Sequence, residues 1–209
     1  MATYFVEFRR IQEKRAGRLE HHDLRRLPNG NTIFLGWAVV PPDIAERIPG
    51  GLPGTAHSDG CMYGDTIVEI TPKGKVVWEW QAWRDIEIEK HPIFCNQLRD
   101  EYAHANAISP LPNGDIYISF RRLNTVALID KKTKKLKWHH RDDSFGMQHD
   151  CVPLENGNIT LFANGINTPN NPLDYPTISS IPPYRPATAC RTADGRPAWL
   201  AIRCSSRRG

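Results

Sequence analysis

His22-Asp23-Leu24-Arg25-Arg26-Leu27-Pro28-Asn29-Gly30-Asn31 is met twice more along the chain. It returns as Asn106-Ala107-Ile108-Ser109-Pro110-Leu111-Pro112-Asn113-Gly114-Asp115 and as His149-Asp150-Cys151-Val152-Pro153-Leu154-Glu155-Asn156-Gly157-Asn158. Asn-Gly reaches positive φ at low cost, which suits the turns whose twist matches a β-hairpin. A short apolar, β-prone run follows each turn, at 32–37, 116–120 and 159–163. Each copy therefore reads strand, turn, strand.

Two of the copies continue into a second hairpin. One runs through Thr66-Ile67-Val68-Glu69-Ile70, the turn Thr71-Pro72-Lys73-Gly74, and a strand carrying Trp78 and Trp80. The other runs through Thr125-Val126-Ala127-Leu128-Ile129, a Lys-rich turn, and a strand carrying Trp138. Two hairpins make a four-stranded antiparallel sheet, and such sheets repeated about an axis are propeller blades. From Asn113 to Asn156 is 43 residues, an ordinary blade period. From Asn29 to Asn113 is 84 residues, yet only one Trp hairpin lies between them. The excess falls in two insertions, 38–64 and 84–103. The first is rich in Pro and Gly and reads as a loop. The second has room for a short helix. Long insertions in a compact domain are often functional, and these two are candidates for a lid. The fold class is thus all-β, a partial β-propeller of about two and a half four-stranded blades.

The boundaries expected are a strand or linker over 1–19, the propeller-like domain over 20–168, and an irregular tail over 169–209. Arg10 to Leu19 fits an amphipathic helix by composition, and a strand ending at Phe8 fits equally well. The tail loses alternation, and no apolar strand pair is seen there to complete the third blade. Truncation or a change of reading frame would explain it.

With 209 residues, 40% hydrophobic and 24% charged, the composition is that of a globular domain. The net charge of +4 owes much to Lys131, Lys132, Lys134, Lys135 and Lys137 and to the Arg-rich C-terminus. That lysine run reads as a solvated edge. Basic and aromatic residues do not interleave on one face, so no nucleic-acid surface is expected. Five cysteines, widely spaced and without Cys-x-x-Cys, suggest neither a zinc knuckle nor a disulfide framework. No apolar stretch approaches a membrane span. Nor does the N-terminus have a signal peptide's apolar core, so the chain as written reads as cytoplasmic.

His22 and His149 sit seven residues before their Asn-Gly, where the middle copy has Asn106 with His104 two residues earlier. A shift of two keeps the same strand face. First strands line the axis of a propeller, so the three imidazoles are expected to converge. Imidazole near neutrality serves as nucleophile, base or cation. Arg121 and Arg122, ending the next strand beside Ser119, offer a guanidinium fork for an oxyanion. A single His at a strand start is more often structural; three in phase favour a site. Asp23 and Asp150 point to the other face and read as hydrogen-bond partners between blades. Trp78, Trp80 and Trp138 read as core between blades, and His139-His140 as solvated edge. His57 and His91 lie in loops without a role. Three histidines can hold zinc, but no local His-x-x-x-His supports it, and no metal or cofactor is expected.

The order His22-Asp23, His104-Ala105-Asn106, Ser119-Phe120-Arg121 and Gln148-His149-Asp150, with Asn164-Gly165 after it, resembles the arylsulfotransferase family over residues 20–168. The resemblance implies a six-bladed propeller moving a sulfuryl group from an aryl sulfate to a phenol, without a nucleotide donor, through a sulfohistidine. It assigns His149 as nucleophile, His22 and His104 as supporting histidines, and Arg121 as the sulfonate-holding arginine. Arg122 competes for that last role, and Asn106 joins it in substrate binding. Family members are secreted to the periplasm, which a missing N-terminus would reconcile with this chain. Unclosed blades leave bare edges through which copies pair as homo-oligomers. The alternative function is a non-catalytic propeller fragment binding a protein partner or a small anion. A quinone-dependent dehydrogenase would need carboxylate and Asn metal ligands that the sequence does not supply.

Overall fold

A computed structural model describes residues 19–166 and 176–182. The N-terminal expectation for 1–18 and most of the tail lie outside these residues. Among the described residues three antiparallel sheets follow one another along the chain. The first contains β1 (Leu19–Arg26), β2 (Thr32–Val39), β3 (Tyr63–Ile70) and β4 (Val76–Gln81) in that spatial order. Two-residue strand β5 (Glu101–Tyr102) adds to β3 in parallel. The second contains β6 (Ala105–Pro110), β7 (Ile116–Phe120), β8 (Thr125–Ile129) and β9 (Leu136–Arg141). The third contains β10 (His149–Pro153), β11 (Ile159–Ala163) and β12 (Thr177–Ile181). The first strands β1, β6 and β10 lie side by side. The architecture is all-β and propeller-like, and among the described residues the sheets do not close into a ring.

Burial explains why some strands read as continuous apolar runs. The second sheet is sandwiched, so every residue of β7 and β8 is buried. Ile33, Leu35, Ile67 and Trp80 of the first sheet pack on Ile108, Ile116, Ile118 and Ile129 of the second. On its other face Tyr117, Val126 and Leu128 meet Cys151, Ile159 and Leu161 of the third. Strand β11 is covered on one face only and alternates: Ile159, Leu161 and Ala163 are buried and Phe162 is exposed.

The tryptophan hairpin joins the first two sheets. Trp80 is fully buried, with its Nε1 donating to the Lys134 carbonyl at 3.0 Å. Trp78 Nε1 donates to the Lys131 carbonyl at 2.9 Å. The lysine turn is therefore more than a solvated edge. Its carbonyls receive the indoles of the neighbouring sheet, and the Lys131 ammonium pairs with the buried Glu69 carboxylate. Lys132 and Lys135 remain exposed, as a solvated run requires.

Two further details depart from expectation, and a third, a short helix at the start of the second insertion, accords with it. The first insertion holds a short helix, α1 (Pro42–Arg47), in which Pro42 lies in the first turn, where its missing N–H is not needed. A second short helix, α2 (Ala82–Asp85), directly follows β4. Within the segment expected to be irregular, Thr177–Ile181 forms β12, the third strand of the third sheet. Ile178 on it is 81% exposed and Ile181 is buried.

Candidate functional site

The Asn-Gly turns place the first strands, but a break in each strand places the histidines. Between Glu20 and Leu24 of β1 the pairing with β2 slips. His22 sits in that bulge with φ of +52°. Ala103 and His104, just before β6, are both left-handed, at +72° and +52°. In β10 the slip lies between His149 and Cys151, with Asp150 at +53°. Bulges are the usual device for re-aiming a side chain at a site. The expected mechanism, a shared face kept by strict alternation, is thus replaced. Positive φ at non-glycine residues turns His22 and His104 towards each other, with ring centroids 5.0 Å apart. His149 interacts electrostatically with both His22 and His104, and Arg121 with His149.

Asp23, expected on the opposite face, does bridge the sheets: its carboxylate accepts from the Ile108 N–H at 2.8 Å. Asp150, its counterpart in the third copy, is exposed.

Each histidine has its own support. Glu101 hydrogen-bonds the Nδ1 side of His104. Burial raises the Glu101 carboxyl, but the His104 bond and the Arg122 charge outweigh it and hold it below its ordinary value. His149 Nδ1 lies 3.0 Å from the Asn164 side-chain nitrogen. Gln148, fully buried, locks the preceding residue: its Nε2 reaches Phe120 O at 3.0 Å, Thr125 O at 3.1 Å and Ser119 Oγ at 3.2 Å. Asn124 Oδ1 accepts from the Met147 N–H at 2.8 Å. The loop carrying His149 is therefore built onto the second sheet. Gly146 packs there so closely against Gly165 that a Cβ would come within 2.4 Å of its backbone.

The two arginines separate clearly. Arg122 is 7% exposed and donates to Asp100 Oδ1 at 2.5 Å and to the Leu98 and Glu101 carbonyls at 3.1 Å. Its Nη2 is 3.6 Å from Glu101 Oε2. Its fork is spent on the loop that presents His104. Arg121 is half-buried, and its backbone N–H donates to the His104 carbonyl at 3.0 Å. Burial, then the charge of Arg122 beside it, lowers its pKa. Asn106 is buried, with its Nδ2 donating to the Gln148 carbonyl at 2.7 Å, and its Oδ1 has no hydrogen-bond partner. Its amide thus helps hold the loop before His149.

Burial, followed by the neighbouring His21 and His104, holds His22 down to about 4, against the pull of Asp65. Burial and then the Arg121 guanidinium lower His149, opposed by its bond with Asn164. Both rings are held neutral near pH 7, with the Arg121 guanidinium beside His149.

Sequence reasoning missed His21, Trp37, Asp65, Glu101 and Asn164's contact with His149. Trp37 lies 4.1 Å from His21 in a stacked pair and 6.0 Å from the His104 ring. Asp65 is fully buried in β3. Two carboxylates, Asp65 and Glu69, within one short β-prone run were the available signal. Among the described residues no three His, Cys, Asp or Glu side chains are grouped to hold a metal ion. No described helix is long and apolar enough to cross a membrane.

Residues 9–145 match the family model described as arylsulfotransferase (ASST), well over half the chain. The match takes in His22, His104, Arg121 and Arg122 and ends four residues before His149. A crystal structure of a protein of unknown function from Bacteroides caccae is similar at 13% identity with a TM-score of 0.35, too low to support any argument. That alignment covers 80% of this chain, which spans 65% of the other. No curated protein matches. On the family model's match, this chain belongs to the arylsulfotransferase family.

Proposed function

We propose that the protein transfers a sulfuryl group from an aryl sulfate to a phenol, with His149 as the nucleophile. The observation that carries this reading is the convergence of His22, His104, His149 and Arg121 from three sheets into one electrostatic cluster. Neutral histidines beside a half-buried guanidinium suit a group that arrives as a monoanion and changes partners.

In the first half-reaction the His149 Nε2 lone pair attacks sulfur. The S–O bond to the aryl group breaks, and its electron pair leaves on the phenolate oxygen. This needs the proton on Nδ1, donated to Asn164. A half-turn of the Asn164 amide presents Oδ1 as that acceptor across the 3.0 Å contact. Arg121 holds the sulfonate oxygens, while Arg122 and Glu101 fix His104 at their edge. The released phenolate takes its proton from solvent. In the second half an acceptor phenol gives up its proton and attacks sulfur, and the S–N electron pair returns to His149.

The test is release of phenol from a chromogenic aryl sulfate in the presence of an acceptor phenol. His149→Ala should abolish turnover; an unchanged rate would remove the assignment.

A further inference from the structure

Behind His22 lies a group that the transfer reaction as described does not use. Asp65 is fully buried, and neither carboxylate oxygen has a hydrogen-bond partner. The nearby partner is His21, whose Nε2 is 3.3 Å from Asp65 Oδ1. That His21 nitrogen is itself buried and otherwise unpaired. At the other end of the same ring, His21 Nδ1 lies 2.8 Å from His22 Nδ1. Trp37, directly across from Asp65 in the β2–β3 pairing, stacks on His21 and fixes the plane of its ring. A buried carboxylate, a wedged imidazole and a site imidazole therefore stand in line.

An isolated buried carboxylate is costly, and buried polar atoms left unpaired call for an explanation. One proton arrangement gives both His21 nitrogens a partner and keeps the rings neutral. His21 Nε2–H faces Asp65, and His21 Nδ1 accepts from His22 Nδ1–H. That leaves His22 Nε2 with its lone pair free on a ring partly open to solvent. The same logic fixes the tautomer of the histidine in serine-hydrolase triads, where the carboxylate orients and does not itself take the proton.

We propose that Asp65 and His21 are positioning residues that hold His22 as the Nδ1–H tautomer, so that its Nε2 is the base that takes the acceptor phenol's proton. This rests on the sulfuryl-transfer reading and extends it to the second half-reaction. The phenol O–H proton moves to His22 Nε2 as the phenol oxygen bonds to sulfur, and the S–N electron pair returns to His149. The cation formed on His22 then donates through Nδ1 to His21, backed by the Asp65 charge. His22 then passes that proton to solvent, which restores the neutral ring for the next turnover.

The test reads the tautomer directly, so it does not depend on turnover. Long-range ¹H–¹⁵N spectra of the full chain at pH 7.5 distinguish protonated from unprotonated ring nitrogens. The wild type should show His22 with a protonated Nδ1 and a free Nε2. In Asp65→Asn and in His21→Phe, which keeps a ring to stack on Trp37, that single tautomer should give way to a mixture or to Nε2–H. A wild-type His22 protonated on Nε2 overturns the proposal. So does an unaltered His22 signal in either folded variant. Should the tautomers behave as stated while His149→Ala retains full turnover, the relay stands and the sulfuryl-transfer reading fails.

Discussion

Replacing Arg122 by Met should unfold the protein sooner, while replacing Arg121 by Met should stop the chemistry and leave the fold alone. The Arg122 side chain is 8% exposed between Asp100 at 22% and Glu101 at 17%. Its loss strands the Asp100 carboxylate and two carbonyl acceptors and leaves Glu101 with His104 alone. Removing one member of a buried ion pair costs about 3–5 kcal/mol. Both carboxylates keep some water, which places this case near the lower end, at about 3 kcal/mol. For a domain of this size a kcal/mol moves Tm by about 2–4 °C, so Arg122→Met should melt roughly 6–12 °C early. Arg121 carries a lowered pKa from burial and from the like charge of Arg122. Its removal relieves that repulsion, so Tm should hold or rise slightly. Losing a donor that meets developing negative charge costs about 10²–10³ in turnover, and Arg121→Met should show that loss. Thermal denaturation followed by circular dichroism, with aryl sulfate turnover on the same samples, gives both numbers. A stable Arg122→Met beside a destabilised Arg121→Met would refute the division of labour.

Other consequences follow from the same contacts. Gly146→Ala would push a methyl into the Gly165 backbone at a φ of +53°, so turnover should fall at least tenfold as the loop before His149 shifts; a silent variant would show that loop placement is unimportant. The folded His22 titrates at about 4, well below an ordinary imidazole, so the unfolded chain binds more protons between those values. Stability contributed by the neutral ring is complete above about pH 6.5 and is lost as pH falls towards 4; urea midpoints from pH 7 to 4.5 should fall, and less steeply in His22→Gln. Trp80→Phe removes the indole bond to Lys134 O and leaves that carbonyl unpaired, for a loss of about 1–3 kcal/mol by urea denaturation.

Turn chemistry and pattern were the legible part of the fold. Asn29-Gly30, Asn113-Gly114 and Asn156-Gly157 each close the first hairpin of a sheet, with all three glycines at positive φ. The paired tryptophan strands marked where sheets stack. Strand β12 was hidden because its two isoleucines are out of phase for a strand, with Ile178 open to solvent and Ile181 buried. Helix α1 was hidden because Pro41-Pro42 reads as a breaker, although proline is at home in a helix's first turn. Within the site, the repeat pointed to His22, His104 and His149. How they meet was not legible, since left-handed backbone at His22, Ala103 and His104 is imposed by tertiary contacts. Choosing between Arg121 and Arg122 required knowing that Asp100 and Glu101 fold back onto one of them. Trp37 and Asp65 come together only through the register of β2 on β3.

Incubating the protein with an aryl sulfate and no acceptor tests the central claim most directly. Peptide mass spectrometry under mildly alkaline conditions should find one SO₃ added on His149, and adding a phenol should discharge it. Phenol release with His149 unmodified, or the group found on another residue, would contradict the account.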